Sequence, residues 1–125
     1  AEVEALFREA QPQAEDGLLN LAGKTSLGEL GALLQRCSAF VGNDTGAMHL
    51  AAAVGTPPVA LFGPTDPLVY GPYRIGRALS AGLECSPCFV NGRAPRCPAP
   101  RCMEAIAVEE VWEAVEGLLA ESRAG

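Results

Sequence analysis

Basic charge is scarce in this sequence. Nine Lys and Arg residues stand against fifteen Asp and Glu residues, which gives a net charge of −6 over 125 residues. A nucleic-acid binder neutralises phosphates with a basic stripe, so the composition argues against nucleic acid as a partner. Lys24 is the only lysine, and "AGKTS" lacks the glycine spacing of a P-loop. We interpret Lys24 as a solvated charge before a helix.

Long apolar runs are also missing. No run approaches the ~18 residues that a membrane span needs, and residues 1–16 have neither the basic start nor the apolar core of a signal peptide. We therefore expect a soluble, cytoplasmic protein with at most peripheral membrane contact. A hydrophobic content of 49% suffices for one packed core, so we expect one domain over residues 1–125. The start without Met, directly in a helical pattern, predicts a fragment that is incomplete at its N-terminus.

Strand-like and helix-like apolar patterns alternate along the chain. Helical spacing predicts helices at about Val3–Ala10, Leu27–Cys37, Gly46–Val54 and Val108–Glu121. Short apolar runs predict buried strands at Gly17–Gly23, Ala39–Gly42, Pro58–Gly63 and Arg77–Ala81. Buried strands separated by helices are typical of a parallel sheet covered on both faces. The predicted fold class is α/β, with a Rossmann-like sheet and helices on both faces.

Turn and cap residues mark several boundaries. Ser26 and Glu29 have the spacing of a capping box at the start of the second helix. Cys37 lies on the apolar side of that helix, which predicts a core position. The run 64–76, rich in Pro and Gly, predicts an ordered loop without a regular element.

The only histidine lies in "GNDTGAMH", residues 42–49, between a predicted strand and a predicted helix. Ligands of parallel sheets bind at the carboxyl ends of strands, and a helix N-terminus favours an anion such as phosphate. Gly46 would allow close approach, Thr45 and His49 could donate hydrogen bonds, and Asp44 could accept them from sugar hydroxyls. The alternative is structural: Asp44 and Thr45 only cap the helix, and His49 binds nothing.

The run Val41–Pro67, with its Asp-Thr-Gly-x-x-His core and Ala-rich helix, resembles the signature of glycosyltransferase family nine, the heptosyltransferases of the lipopolysaccharide inner core. The following "YGPY", the upstream "LAGKTSLGELGALLQRC" and the Cys-rich segment with the last helix are similar to that family too. The similarity spans about residues 17–121. It implies a GT-B architecture, of which this chain would be the C-terminal, donor-binding half.

The resemblance also implies an activity and a site. The family moves heptose from ADP-heptose to a lipopolysaccharide core acceptor with inversion, and it needs no cofactor beyond the nucleotide-sugar donor. The implied catalytic residues are Asp44 and His49, and the implied donor-binding residues are Asp44, Thr45, Gly46, Ala47, Met48, His49 and Thr65. The family's catalytic base and a diphosphate-binding lysine have no counterpart in this chain. We therefore expect the chain alone to be inactive, with the acceptor bound by an N-terminal domain.

Two alternatives to this function remain open. One is another GT-B enzyme, a UDP-sugar transferase or an epimerase, although such families place a glutamate-bearing motif where this chain has Asp44, Thr45 and Gly46. The other is a non-catalytic nucleotide-binding or metal-binding module. Thr65 has its own alternative, a turn made rigid by Pro64 and Pro67.

Four cysteines fall in an irregular loop, residues 85–102, within the domain. Cys85 and Cys88 form C-x2-C, and after eight residues Cys97 and Cys102 form C-x4-C. The second spacing is unusual for zinc, so free thiols or a redox-labile disulfide are favoured, and the metal question stays open. Arginines between the cysteines are interpreted as solvated charges.

Overall fold

The computed structural model describes residues 2–9 and 17–124, without the side chains of Glu2, Leu6 and Phe7. The chain divides into two compact units, Ala1–Leu30 and Gly31–Gly125. The elements, in chain order, are α1 (Glu2–Glu9), α2 (Leu27–Gln35), β1 (Phe40–Asn43), α3 (Gly46–Ala53), β2 (Pro58–Phe62), α4 (Pro67–Tyr70), β3 (Arg77–Ser80), α5 (Arg101–Glu104) and α6 (Val108–Ala124). None of the described helices is long and apolar enough to cross a membrane.

The first unit contains α1 and the start of α2. Helix α1 confirms the first predicted helix, whose last residue, Ala10, lies outside the described residues. The capping box is also confirmed: the Ser26 amide donates to Glu29 Oε2 at 2.8 Å, and the Glu29 amide donates to Ser26 Oγ at 3.3 Å. The Ser26 hydroxyl also donates to Glu29 Oε2 at 2.7 Å, and the hydrogen bonds from the Ser26 amide and hydroxyl lower the pKa of Glu29.

The predicted strand over Gly17–Gly23 is wrong. In the described part of the chain this stretch joins no sheet, and Leu18 and Leu19 are 54% and 79% exposed. The Asn20 side chain instead accepts a hydrogen bond from the Ala22 amide at 3.1 Å. An extended segment needs a neighbouring strand to pair its amides and carbonyls. A short apolar run does not reveal whether that neighbour exists.

The second unit is built on a parallel sheet in the order β1-β2-β3. Phe40 pairs with Pro58 in the first ladder, and Val59 pairs with Arg77 in the second. Three predicted strands are thereby confirmed, and so is the α/β class. Because the strands are parallel, their carboxyl ends lie at one edge of the sheet.

Each face of the sheet is covered by a helix. Ala60 and Phe62 of β2 pack against Met48 of α3 on one face. On the other face Val59, the neighbour of Ala60, packs against Leu118 of α6. Successive strand residues point to opposite faces, so both faces of β2 are apolar and its residues show no alternation. The prediction of helices on both faces is confirmed.

The buried surface of two helices differs from the prediction. Cys37 is exposed, so its predicted core position is wrong. Helix α2 ends at Gln35, which leaves Cys37 beyond the last turn, where its thiol donates to the Leu33 carbonyl at 3.4 Å. In α6, whose apolar residues at helical spacing include Trp112, the buried residues are Ala114 and Leu118, and Trp112 is 58% exposed. Helical spacing predicted the helices but not which of their apolar residues are buried.

Side-chain hydrogen bonds fix two of the connections. The buried hydroxyl of Thr56, just before β2, donates to the carbonyl of Leu34 in the last turn of α2. The Arg77 guanidinium of β3 crosses α6 and pairs with Glu121 at 2.6 Å. A Cβ at Gly117 would lie 2.6 Å from Arg77 Nη1. Glycine at 117 thus leaves room for this crossing.

Candidate functional site

The junction of β1 and α3 lies at the carboxyl edge of the sheet. Strand β1 ends at Asn43, and the Asp44 amide still donates to the Leu61 carbonyl of β2 at 3.3 Å. The backbone of Asp44 is therefore held by the central strand, and its side chain is only 21% exposed. This attachment fixes the place from which α3 begins.

The first turn of α3 has donors without acceptors. Thr45 is the N-cap in an extended conformation, with φ −148° and ψ 164°, and its side chain makes no capping hydrogen bond. Its carbonyl accepts the amides of Met48 and His49 at 3.1 and 3.4 Å. In the described residues no acceptor is present for the amides of Gly46 and Ala47. Two amides and one hydroxyl, together with the helix dipole, suit an anion.

Gly46 is not required by the packing of the described residues. A Cβ there would meet nothing within 4 Å, and Gly46 is not among the glycines with positive φ. Glycine in a helix costs up to about 1 kcal/mol relative to alanine, so a residue that neither space nor conformation demands needs another explanation. The open space beside its Cα leaves room for another group to approach the backbone closely.

Asp44 and His49 flank this helix start. His49 Nε2 lies 4.0 Å from Asp44 Oδ1, and the histidine side chain is 50% exposed. The imidazole thus stands one turn into α3 beside the carboxylate and remains open to solvent. A phosphate at the helix start would have a donor in His49, and a sugar hydroxyl would have an acceptor in Asp44.

The other predicted site residues occupy different surroundings. Met48 is fully buried against Phe62, so its side chain belongs to the core. Ala47 is half-buried. Thr65 follows β2 at the same edge of the sheet and is half-buried, but no hydrogen bond in the described residues joins it to the junction. The neighbouring Asp66 caps α4 by accepting the Leu68 amide at 2.9 Å.

The predicted loops at this edge contain two short helices. Residues 64–76 include α4, and the Cys-rich segment includes α5 and an isolated bridge between Val90 and Arg93. The Cys-rich segment borders a cavity of about 860 Å³. It is attached to the end of β2, because the Ser86 hydroxyl donates to the Gly63 carbonyl and the Cys88 amide donates to Pro64 at 2.8 Å. Sequence reasoning missed these attachments, for which spacing carries no signal.

A family model matches residues 1–97 of this chain, and it describes glycosyltransferase family 9 (heptosyltransferase). A lipooligosaccharide heptosyltransferase 2 of Campylobacter jejuni is 34% identical over 107 residues, which cover 82% of this chain and 32% of that protein. The lipooligosaccharide heptosyltransferase 2 of Haemophilus influenzae is 51% identical over 62 residues, covering 49% of this chain and 18% of the relative.

A solved structure is similar as well. The E. coli ADP-heptose lipopolysaccharide heptosyltransferase II superimposes with a TM-score of 0.65 at 29% identity, over 91% of this chain and 32% of that one. The chain thus spans less than a third of the length of these relatives.

Proposed function

Because the chain belongs to glycosyltransferase family 9, we propose that it is the donor-binding part of an inverting glycosyltransferase that moves heptose from ADP-heptose to a lipopolysaccharide core acceptor. The observation that carries this proposal is the first turn of α3. In the described residues two of its amides have no acceptor, the Thr45 hydroxyl makes no capping hydrogen bond, and there is free space at Gly46. The names of the relatives support the choice of donor and acceptor. A cytoplasmic location belongs to the same proposal.

The diphosphate of the donor would lie at the start of α3. The amides of Gly46 and Ala47 and the Thr45 hydroxyl donate to its oxygens, and His49 donates from one turn further on. Asp44 accepts from hydroxyls of the donor. When the acceptor oxygen displaces the nucleoside diphosphate, the leaving group gains negative charge, which these fixed donors stabilise without reorganising.

The rest of the reaction requires groups beyond this chain. We propose that another part of the longer protein binds the acceptor and supplies the base that deprotonates its hydroxyl. In the full-length enzyme, replacing Thr45 or His49 by Ala should lower kcat by about 10²- to 10³-fold, the effect of removing one donor to a developing anion. The chain alone should bind the donor and leave it unchanged.

Calorimetric titration of this chain with ADP, ADP-heptose, UDP and UDP-glucose tests the proposal. We expect binding of the two adenine compounds and its loss in a Thr45→Ala, His49→Ala double variant. Thr25→Ala, at an exposed threonine outside the site, is the control and should bind as the unaltered chain does.

Two results would count against the proposal. Unchanged ADP affinity in the double variant would show that the junction of β1 and α3 is not the donor site. Preference for the uridine compounds would favour the alternative GT-B enzyme. If the chain alone binds none of the four, the same titration of the full-length protein decides, and failure there rejects the donor assignment.

A further inference from the structure

Five of the seven sulfur atoms of this protein border one cavity. The chain has five Cys and two Met, and the cavity beside the carboxyl end of β2 is lined by the four cysteines of the segment 85–102 and by Met103. Spacing along the sequence did not predict that both cysteine pairs face the same space. The donor-binding proposal assigns these residues no role.

Three of these cysteines lie at attached points of the fold. Cys85 and Cys88 flank Ser86, whose hydroxyl donates to the Gly63 carbonyl, and the Cys88 amide donates to the Pro64 carbonyl at 2.8 Å. Cys102 belongs to α5 and packs on the same strand end: a Cβ at Gly63 would lie 3.0 Å from its Sγ. The two attachments approach the end of β2 from opposite ends of the segment.

Cys97 differs from the other three. It lies in residues 91–100, all of which are exposed. In the described residues 94–98 no backbone hydrogen bond joins this stretch to a regular element. The whole connection between β3 and α5, residues 81–100, contains no helix and no strand of the sheet. Connections without regular structure that exceed about 12–15 residues are uncommon in compact domains and are usually functional.

The chemistry of the cavity favours a soft divalent cation. Thiolates are the preferred ligands of structural zinc, and four of them give a tetrahedral site of net charge −2. Arg96 and Arg101 also line the cavity and would balance that charge. Most of the other lining residues are prolines and small apolar residues, which offer no ligand that would compete with the thiolates.

We propose a structural zinc site with four thiolate ligands, supplied by Cys85, Cys88, Cys97 and Cys102. Among residues 2–9 and 17–124, no three Cys, His, Asp or Glu side chains converge closely enough to hold a metal ion as they stand. Binding therefore requires rotation of the attached thiols and movement of the stretch that carries Cys97. Zn²⁺ replaces the four thiol protons, which pass to solvent, and the bound ion ties both ends of the segment to β2.

Metal titration of the reduced chain tests this site directly. After treatment with a chelator under a thiol reductant, the chain is titrated with Zn²⁺ against a chromophoric competitor, and with Co²⁺ as a spectroscopic probe. We expect one equivalent of either metal, and for Co²⁺ the thiolate charge-transfer and intense visible bands of a tetrahedral sulfur site. Bound Zn²⁺ should protect four of the five thiols from a disulfide reagent, leaving Cys37 reactive.

Single Cys→Ser variants locate the ligands. Replacement of Cys85 or Cys97 should weaken Zn²⁺ binding by more than about 100-fold, beyond the 10- to 100-fold that loss of a supporting contact typically costs. The matched control is Cys37→Ser, because Cys37 lies at the end of α2 and does not line the cavity. It should retain one equivalent and the full Co²⁺ spectrum.

Several results would overturn the zinc site. One is reaction of all five thiols at the same rate with and without equimolar Zn²⁺. Another is an affinity equal in Cys97→Ser and the unaltered chain, and a third is a stable disulfide among the four cysteines that persists in the presence of reductant. The titration of the unaltered chain decides the matter even if a variant fails to fold. Its outcome is independent of nucleotide binding, because metal alone is the probe.

Discussion

Helices α2 and α3 begin in opposite ways. At α2 the Glu29 carboxylate accepts the Ser26 amide and the Ser26 hydroxyl accepts the Glu29 amide. Residues at the start of this helix therefore supply the acceptors for its first turn. At α3 the side chain of the N-cap Thr45 makes no capping hydrogen bond, and in the described residues the amides of Gly46 and Ala47 have no acceptor. A closed start stabilises the helix, whereas an open one keeps donors available for another molecule. We expect this contrast to separate residues that serve folding from residues that bind the donor.

The largest effect on stability should come from the buried residue in the first turn of α3. Met48→Ala removes a fully buried side chain that packs on Phe62, and it should cost about 2–5 kcal/mol of unfolding free energy. The next residue, His49, is half exposed, so His49→Ala should change stability by no more than about 0.5 kcal/mol. Urea unfolding measures both. Equal losses of unfolding free energy in the two variants would mean that Met48 and His49 do not have separate roles, one in the core and the other in the site.

Two glycines that follow strands should respond differently to alanine. A Cβ at Gly63 would lie 2.7 Å from Met103 Sδ, so Gly63→Ala overpacks the end of β2 and should cost about 1–3 kcal/mol. Gly46→Ala meets open space and should leave stability equal or slightly higher. It should nevertheless weaken ADP binding, because the methyl group occupies the open space beside Cα through which the diphosphate would approach the backbone. Thermal unfolding measures the stability of both variants, and calorimetry measures their ADP binding. Destabilisation by Gly46→Ala would contradict the expectation that its side chain meets open space.

The caps themselves give a smaller difference. Ser26→Ala removes an observed capping hydrogen bond and should cost about 0.5–2 kcal/mol. Thr45→Ala removes none, so its stability should stay within about 0.5 kcal/mol while its affinity for ADP falls. Urea unfolding of the two variants with a parallel ADP titration measures the contrast. If Thr45→Ala loses as much stability as Ser26→Ala, Thr45 is a cap after all.

The smallest effect concerns pH at the closed helix start. The Ser26 amide and hydroxyl lower the pKa of Glu29 below 4.5, so the folded state favours the carboxylate. The stabilisation from Glu29 is present above the pKa that this carboxyl has in the unfolded chain. It is lost as pH falls through the lower pKa of the folded state. The difference in urea midpoint between the unaltered chain and Glu29→Ala should therefore shrink from about pH 6 to about pH 3. Thr45→Ala, which removes no titrating group, should keep a constant difference; a constant difference for Glu29→Ala would contradict the capping role.

The sequence was informative where local rules determine structure. The capping box, the three paired strands and helix α3 follow from cap residues and apolar runs, and all are present, whereas the short helix α4 lies in a stretch predicted to have no regular element. Asp44 and His49 were both predicted at the junction of a strand and a helix, and their side chains lie 4.0 Å apart at the carboxyl edge of the sheet. Their role in donor binding stays a prediction. Strand-to-helix junctions can be predicted because two regular elements fix the residues between them.

Features that depend on distant partners were not predicted. The run Gly17–Gly23 is apolar enough for a strand but lacks a ladder, and Cys37 has helical spacing but lies beyond the end of α2. The shared cavity of the Cys-rich segment arises from hydrogen bonds to Gly63 and Pro64, more than twenty residues earlier in the chain. No local pattern carries such information, because it depends on which surfaces meet after folding.

The crossing of Arg77 over Gly117 has a consequence for comparing relatives. A larger residue at 117 would push the guanidinium away from Glu121, and a different residue at 77 would remove the reason for glycine in the middle of α6. Natural substitutions at these positions should therefore covary, with glycine and arginine kept or lost together. Alignments of the family can be read for this coupled pair as a marker of how the last helix is seated on the sheet.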